Sequence, residues 1–404
     1  MKKYIRSARQ TLEIATEEWG KIFRDSGVVL VFFGACLIYP VLYGFIYRNE
    51  VYRNIPVAVV NQSRSQVSRD LIREMDGTPE LAVRYRAKDM AEAKQLYAEG
   101  KVFGVVLIPQ SIGADLAAGR QTQVMGYCSM ASMMYYKGFY AGFNYACLKV
   151  NSAIRMANLT ATGLTERQAE TASEPVLSQG HSLYNPTGGF PSFLMPAVLV
   201  MILQQTLVLG IGMLAGTARE ENRHHDLIPR RVMYHKPQRV IWGKAMAYFV
   251  LYLFLATYDL VLMPHVFQLP HLLSIGTYVA FVVPYLLASI FFGMAASVFF
   301  WNRETPLLLF LCTSVPLLFI SGFSWPGTHI GGFWKTLSWF FPSTFGINAF
   351  LQMNSAGASI TQVDTHLFAL WVQAGAYFLL TYVAYVLQIR AAERRRSTHF
   401  FDKN

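Results

Sequence analysis

What most limits the fold of this chain is a set of apolar runs, each about the length needed to cross a lipid bilayer and separated from the next by charged or polar sequence. Gly27 to Tyr47 carries no charge over about 20 residues, the length a hydrocarbon core requires. Phe190 to Thr217, Val240 to Met263, Gly276 to Phe300, a run opening at Leu307, and Leu367 to Leu387 follow. With 53% hydrophobic and only 15% charged residues, the sequence is too apolar for an ordinary water-soluble protein. The expected fold is an α-helical polytopic membrane protein of about six transmembrane helices. A cleaved signal peptide does not suit the first run. Its apolar region would be about 7 to 15 residues long with a small-residue cleavage site, whereas Tyr-rich sequence leads into Arg48 here.

The net charge of +11 would fit a nucleic-acid partner if it were clustered, but it sits at the ends of the apolar runs. Anionic lipid is the better counter-charge, and no nucleic acid is expected. Residues 1–26 carry Lys2, Lys3, Arg6, Arg9, Lys21 and Arg24, with Ile5, Ala8, Leu12, Ala15, Trp19, Ile22 and Phe23 at helical spacing. That is a basic amphipathic helix lying on a membrane face, either a plain anchor or an elbow that touches a partner. Three further basic pieces are the loop at 218–239, Arg303, and the tail at 390–404 with Arg390, Arg394, Arg395 and Arg396. All four fall on one side of a six-span path, so the positive-inside bias places both termini in the cytoplasm of an inner-membrane protein.

Residues 48–189, between the first span (27–47) and the bundle (190–389), read as an inserted extracytoplasmic α/β domain with a helical return. Strands are expected at Ile55–Asn61, Leu81–Tyr85, Val102–Pro109 and Gln121–Tyr127, alternating with helices at Ser63–Met75, Lys88–Tyr97 and Ser111–Ala118. Met133 to Thr171 reads as one or two more helices. Cys128 and Cys147 lie here, where a disulfide is open to them outside the cytoplasm.

Within the bundle, residues 321–350 break the fifth apolar run. Ser321-Gly322-Phe323-Ser324-Trp325-Pro326-Gly327 turns, Phe333 to Pro342 reads as a short aromatic helix, and Pro342-Ser343-Thr344-Phe345-Gly346 turns again. Irregular backbone at membrane depth survives only where protein or a water-filled cavity covers it. A re-entrant outer hairpin is therefore expected, with Phe323, Trp325, Pro326, Phe341 and Pro342 as gate candidates. Gln204 and Gln205 in the second span either bond a neighbouring helix or line a pathway. Asp259 is functional if it lies deep in the third span and unremarkable if it reaches water near the end.

Catalytic chemistry is not visible. The pairs Gly20-Lys21, Gly100-Lys101 and Gly243-Lys244 are followed by Ile, Val and Ala, not by the Ser or Thr of a phosphate-binding loop. His224-His225 beside Glu220, Glu221 and Asp226 lacks the spacing of a zinc site.

At three places the sequence resembles the type-2 permease family of ATP-binding-cassette exporters, and the likeness covers nearly the whole chain. One is the order of a single span, a large domain and five spans. The second is Arg219-Glu220-Glu221-Asn222-Arg223 running to Asp226-Leu227-Ile228-Pro229. The third and most specific is Phe319-Ile320-Ser321-Gly322-Phe323-Ser324-Trp325-Pro326, followed by Trp334, Leu337 and Phe341-Pro342. His224-His225 departs from the Gly-Thr pair common in relatives. The resemblance implies a permease without its own ATPase or cofactor, with ATP and magnesium held by separate ATPase subunits. These would press on Arg219, Glu220, Glu221, Arg223, Asp226 and Pro229 and on the N-terminal elbow. It further implies a second permease copy or paralogue, outward movement of a drug-like or lipid-like amphipath, and room for a periplasmic membrane-fusion protein. A non-transporting envelope scaffold or receptor of the same architecture is the alternative.

Overall fold

The computed structural model describes residues 2–47, 52–176, 180, 183, 185, 188–221, 237–325 and 327–401, with side chains described from Ala8 to Ile389. The chain divides into two compact units, residues 51–181 and the remainder on either side.

The larger unit begins with α1 (Lys2–Arg24) and α2 (Ser26–Ile46). The junction is Asp25, whose carboxylate accepts from the N–H groups of Gly27 and Val28 at 3.0 and 3.2 Å and so caps α2. The apolar stripe of α1 is rotated from the one the sequence suggests. Ile14, Ala15, Glu18 and Ile22 are buried, whereas Leu12 and Phe23 stay exposed. A charged partner draws Glu18 inward, as described below. In α2, Leu30–Ala35 takes a π-helical turn, and the buried Phe32 meets Tyr248 and Tyr252 edge-on.

The smaller unit is a four-stranded sheet of β1 (Ile55–Asn61), β2 (Leu81–Ala87), β3 (Gly104–Ile108) and β4 (Met125–Cys128) in the order β2-β1-β3-β4. β1 runs parallel to β2 and β3, and β4 pairs antiparallel with β3. Central β1 is a run of β-branched and small apolar residues buried on both faces, as a parallel sheet demands. The helices are α3 (Gln66–Asp76), α4 (Met90–Ala98), α5 (Ile112–Ala117), α6 (Met133–Ala161) and α7 (Glu166–Ser173). Leu71, Met75 and Phe139 pack with Ile55, Val57 and Val59 in one apolar cluster, while Ala93 joins Ala58 and Val60 in another. β4 is shorter than the expected Gln121–Tyr127 because β3, with Leu107 opposite Met125, ends at Ile108 and leaves residues 121–124 nothing to pair with. Cys128 and Cys147 are both free thiols, and the Cys128 Sγ donates to the Phe103 carbonyl at 3.2 Å.

The larger unit resumes with α8 (Phe190–Glu220), α9 (Pro237–Val266), α10 (Ile275–Phe299), α11 (Thr305–Ile320), α12 (Gly332–Ser338), α13 (Pro342–Asn354) and α14 (Asp364–Phe401). With α2, five helices among the described residues are long and apolar enough to cross a membrane. The fifth expected span, α11, has 16 residues and rises only about 24 Å, short of the roughly 30 Å hydrocarbon core. α8 is the axis of the bundle, with 83% of its most apolar window buried, and α9, α10, α11 and α13 all pack on it. After α11 the chain turns through Ser321–Trp325, makes the short α12, and sends α13 back among the helices, burying Pro342, Ser343, Ile347 and Phe350. The expected cover over the irregular backbone is only partial: among the described residues of 321–341 only Ser321 and Ser338 are buried, and Trp325, Phe333, Trp334, Trp339 and Phe340 stay exposed, so it is α13 that the protein encloses. Asn348 Nδ2 donates to the Ser321 carbonyl at 2.9 Å and pins the turn to α13.

Candidate functional site

At the end of the bundle that carries α1, a cavity of about 1210 Å³ opens between that helix and the ends of α8, α9, α10 and α14. Its wall includes Glu13, Glu17, Lys21, Arg24, Arg219 and Glu221, so both signs of charge are spread around it. Two networks hold this wall together. In the first, buried Glu18 of α1 meets the buried Lys244 ammonium of α9 at 3.3 Å, accepts from the Tyr248 hydroxyl at 2.7 Å, and lies 3.4 Å from Lys21 Nζ. Burial pushes the Glu18 carboxyl up, but the charges of Lys244 and Lys21 and the Tyr248 hydroxyl outweigh it and leave the group below the usual carboxylate range. α1 comes very close to α9 at Gly243, where a Cβ would lie 2.8 Å from that of Ile14.

In the second network the Arg303 guanidinium grips Asp25 with both terminal nitrogens, at 2.7 and 2.6 Å, and also donates to Thr217 Oγ1 at 3.2 Å. The Arg303 backbone N–H reaches Glu220 Oε2 at 3.3 Å. A forked, charge-assisted pair of this kind is stronger than a single neutral hydrogen bond and fixes orientation. It joins the α1–α2 junction, the end of α8 and the α10–α11 turn at one residue. Arg219 adds a tie along the same rim, donating to the carbonyls of Ser297 and Phe300 at 2.5 Å each.

Of the expected coupling residues, the structure brings Arg219, Glu220 and Glu221 to this rim. Arg223, Asp226 and Pro229, together with His224-His225, lie outside the described residues. Glu18, Lys244, Asp25 and Arg303 form the joints, and sequence reading passed over them as a group. A signal existed: Lys244 and Asp259 are the only charges in the run Val240–Met263, and an unpaired lysine at that depth needs an acid.

The middle of the bundle holds the other candidates. Gln204 is buried, and its Oε1 accepts from the Ser343 N–H at the start of α13 at 2.5 Å. It is thus one of the ties that hold α13 against α8. Gln205 is buried too, and its Nε2 has no hydrogen-bond partner among the described residues. Asp259 is fully buried within a π-helical turn, Tyr258–Leu262. At the hairpin, half-buried Phe323 stacks on Phe193 with centroids 4.6 Å apart, and Phe341 meets Phe292 edge-on at 5.7 Å. Pro342 is the buried first residue of α13, Trp325 is 59% exposed, and Pro326 lies outside the described residues.

The chain therefore combines a charged, jointed cavity at one end of an apolar bundle with a short helix, α13, packed among the long ones. A family model described as ABC-2 family transporter protein matches residues 26–383. No curated protein matches the chain.

Proposed function

Because the chain belongs to the ABC-2 family of transporter proteins, and is thus a multi-pass permease component of an ABC transporter and not itself an ATPase, we propose that it forms the passage of an exporter driven by separate ATP-binding-cassette subunits. Those subunits dock at the end of the bundle where α1 and the end of α8 border the charged cavity. The observation that carries the reading is the jointed rim. Arg303 links Asp25 at the elbow with Thr217 and Glu220 at the start of the coupling segment, and Glu18 links the same elbow to α9. A push on either piece is delivered to α1, α2, α8, α9 and the α10–α11 turn at once, because forked and paired charges fix the geometry of the elements they join. ATP and magnesium belong to the partner, which supplies the energy. This chain supplies the two-state helix packing that the energy biases.

In this reading both termini face the cytoplasm of a bacterial inner membrane, the α/β unit stands outside, and two copies or a copy and a paralogue share the passage. The cargo is an amphipath of drug-like or lipid-like character moved outward. α13, held by Gln204, serves as the plug on the outer half, with Phe323 and Phe341 as its aromatic seal. A periplasmic membrane-fusion protein is the natural partner for the α/β unit. The test is purification of the tagged chain in mild detergent. An ATP-binding-cassette subunit should be retained, and its hydrolysis should fall when Glu221 or Arg223 is replaced. A chain that retains no such subunit would be the envelope scaffold instead.

A further inference from the structure

Asp259 is 0% exposed, yet neither of its carboxylate oxygens has a hydrogen-bond partner among the described residues. A buried carboxylate kept for structure is normally bonded, because leaving the charge unpaired is costly. The groups around it make the omission more telling. The Cys36 thiol and the Tyr252, Tyr258 and Tyr278 hydroxyls are within electrostatic reach, and each spends its hydrogen bond elsewhere. Tyr252 donates to Thr206 Oγ1 at 3.0 Å, and Cys36 lies 3.4 Å from the same oxygen. Tyr278 pairs with Thr257 at 2.8 Å, and Tyr258 donates to the Leu37 carbonyl at 3.3 Å. The nearest lysine along α9, Lys244, lies about 22 Å away by helical rise and is occupied by Glu18.

The backbone here is also unusual. Tyr258–Leu262 is a π-helical turn, a local widening that recurs at functional sites. A carboxylate without a partner, with tyrosines of α9 and α10 within electrostatic reach, is suited to a cation with an apolar shell, since ring faces attract positive charge. We propose that Asp259 is the counter-charge for an organic cation, so that the cargo class is a cationic amphipath. The assignment rests on the transport reading above and adds to it the charge of what is carried.

The experiment is direct binding to the full chain in lipid nanodiscs, using tetraphenylphosphonium and tetraphenylborate, which match in shape and differ in the sign of charge. Wild type should bind the phosphonium, Asp259→Asn should bind it about tenfold more weakly, and Asp259→Glu should stay close to wild type. Borate binding should not weaken in Asp259→Asn. The melting temperature of Asp259→Asn should be no lower than that of wild type, since the substitution removes an unpaired buried charge. Equal phosphonium affinity in wild type and Asp259→Asn, no phosphonium binding to wild type, or a marked fall in melting temperature on Asp259→Asn would each overturn the assignment. Retention of the ATPase subunit is scored separately in the same preparation. An ATPase retained without phosphonium binding defeats the cation site alone, whereas phosphonium bound through Asp259 with no ATPase defeats the transport reading.

Discussion

Replacing Glu18 by alanine would strand the Lys244 ammonium, which is 8% exposed, with no acid beside it. Breaking a buried ion pair from one side costs about 3–5 kcal/mol, far more than an exposed pair is worth. We expect Glu18→Ala to lower the unfolding midpoint strongly, and Glu18→Ala combined with Lys244→Met to recover most of the loss in a double-mutant cycle. The Asp25–Arg303 fork adds a pH dependence. Burial pushes the Asp25 carboxyl up, but the Arg303 guanidinium and the Val28 and Gly27 N–H groups pull it lower still, so it ends below the usual range. A carboxyl whose pKa falls on folding stabilises the fold in full above its unfolded value of about 3.9 and loses that contribution as pH falls through the folded value. Thermal melts of wild type and Asp25→Asn should therefore differ by a constant amount from neutral pH down to about pH 5 and converge only once the pH has fallen through the depressed folded value.

Close approaches between elements set the geometry of the bundle, and glycine permits them. At Gly216 of α8 a Cβ would lie 2.4 Å from the Asn302 backbone oxygen, and at Gly346 of α13 it would lie 2.5 Å from the Tyr285 ring. Backbone cannot swing aside as a side chain can, so Gly216→Ala should lose about 1–3 kcal/mol in unfolding experiments and loosen the α10–α11 turn that carries Arg303. The same distinction explains what the sequence revealed. The long apolar runs and the alternation of strands and helices were legible because burial against lipid or a sheet leaves a periodic signature. β4 was overextended because its length depends on where its partner β3 stops. α11 reads as a span by composition but falls short by length. Glu18 and Lys244 lie more than two hundred residues apart, and neither has a local pattern that names the other. Gln204 could be flagged as a buried amide, but its acceptor role at the Ser343 N–H appears only once α13 is folded back beside α8.

For the molecule as a whole, the α/β unit is compact and carries its own apolar core on both faces of its sheet. Expressed alone, residues 51–181 should give a soluble, cooperatively melting domain by circular dichroism. The central claim is that force enters at the end of the bundle where α1, Arg219 and Glu220 meet, and that the α/β unit stands on the opposite side of the membrane. The most direct measurement is site-specific cross-linking in intact cells, with a single cysteine introduced at Arg223 or at Tyr127 in a chain otherwise free of cysteine. The account predicts that the cysteine at Arg223 cross-links to an ATP-binding-cassette subunit, while the one at Tyr127 does not and is instead labelled by a reagent that cannot cross the membrane. Cross-linking of that subunit through Tyr127, with none through Arg223, would contradict it.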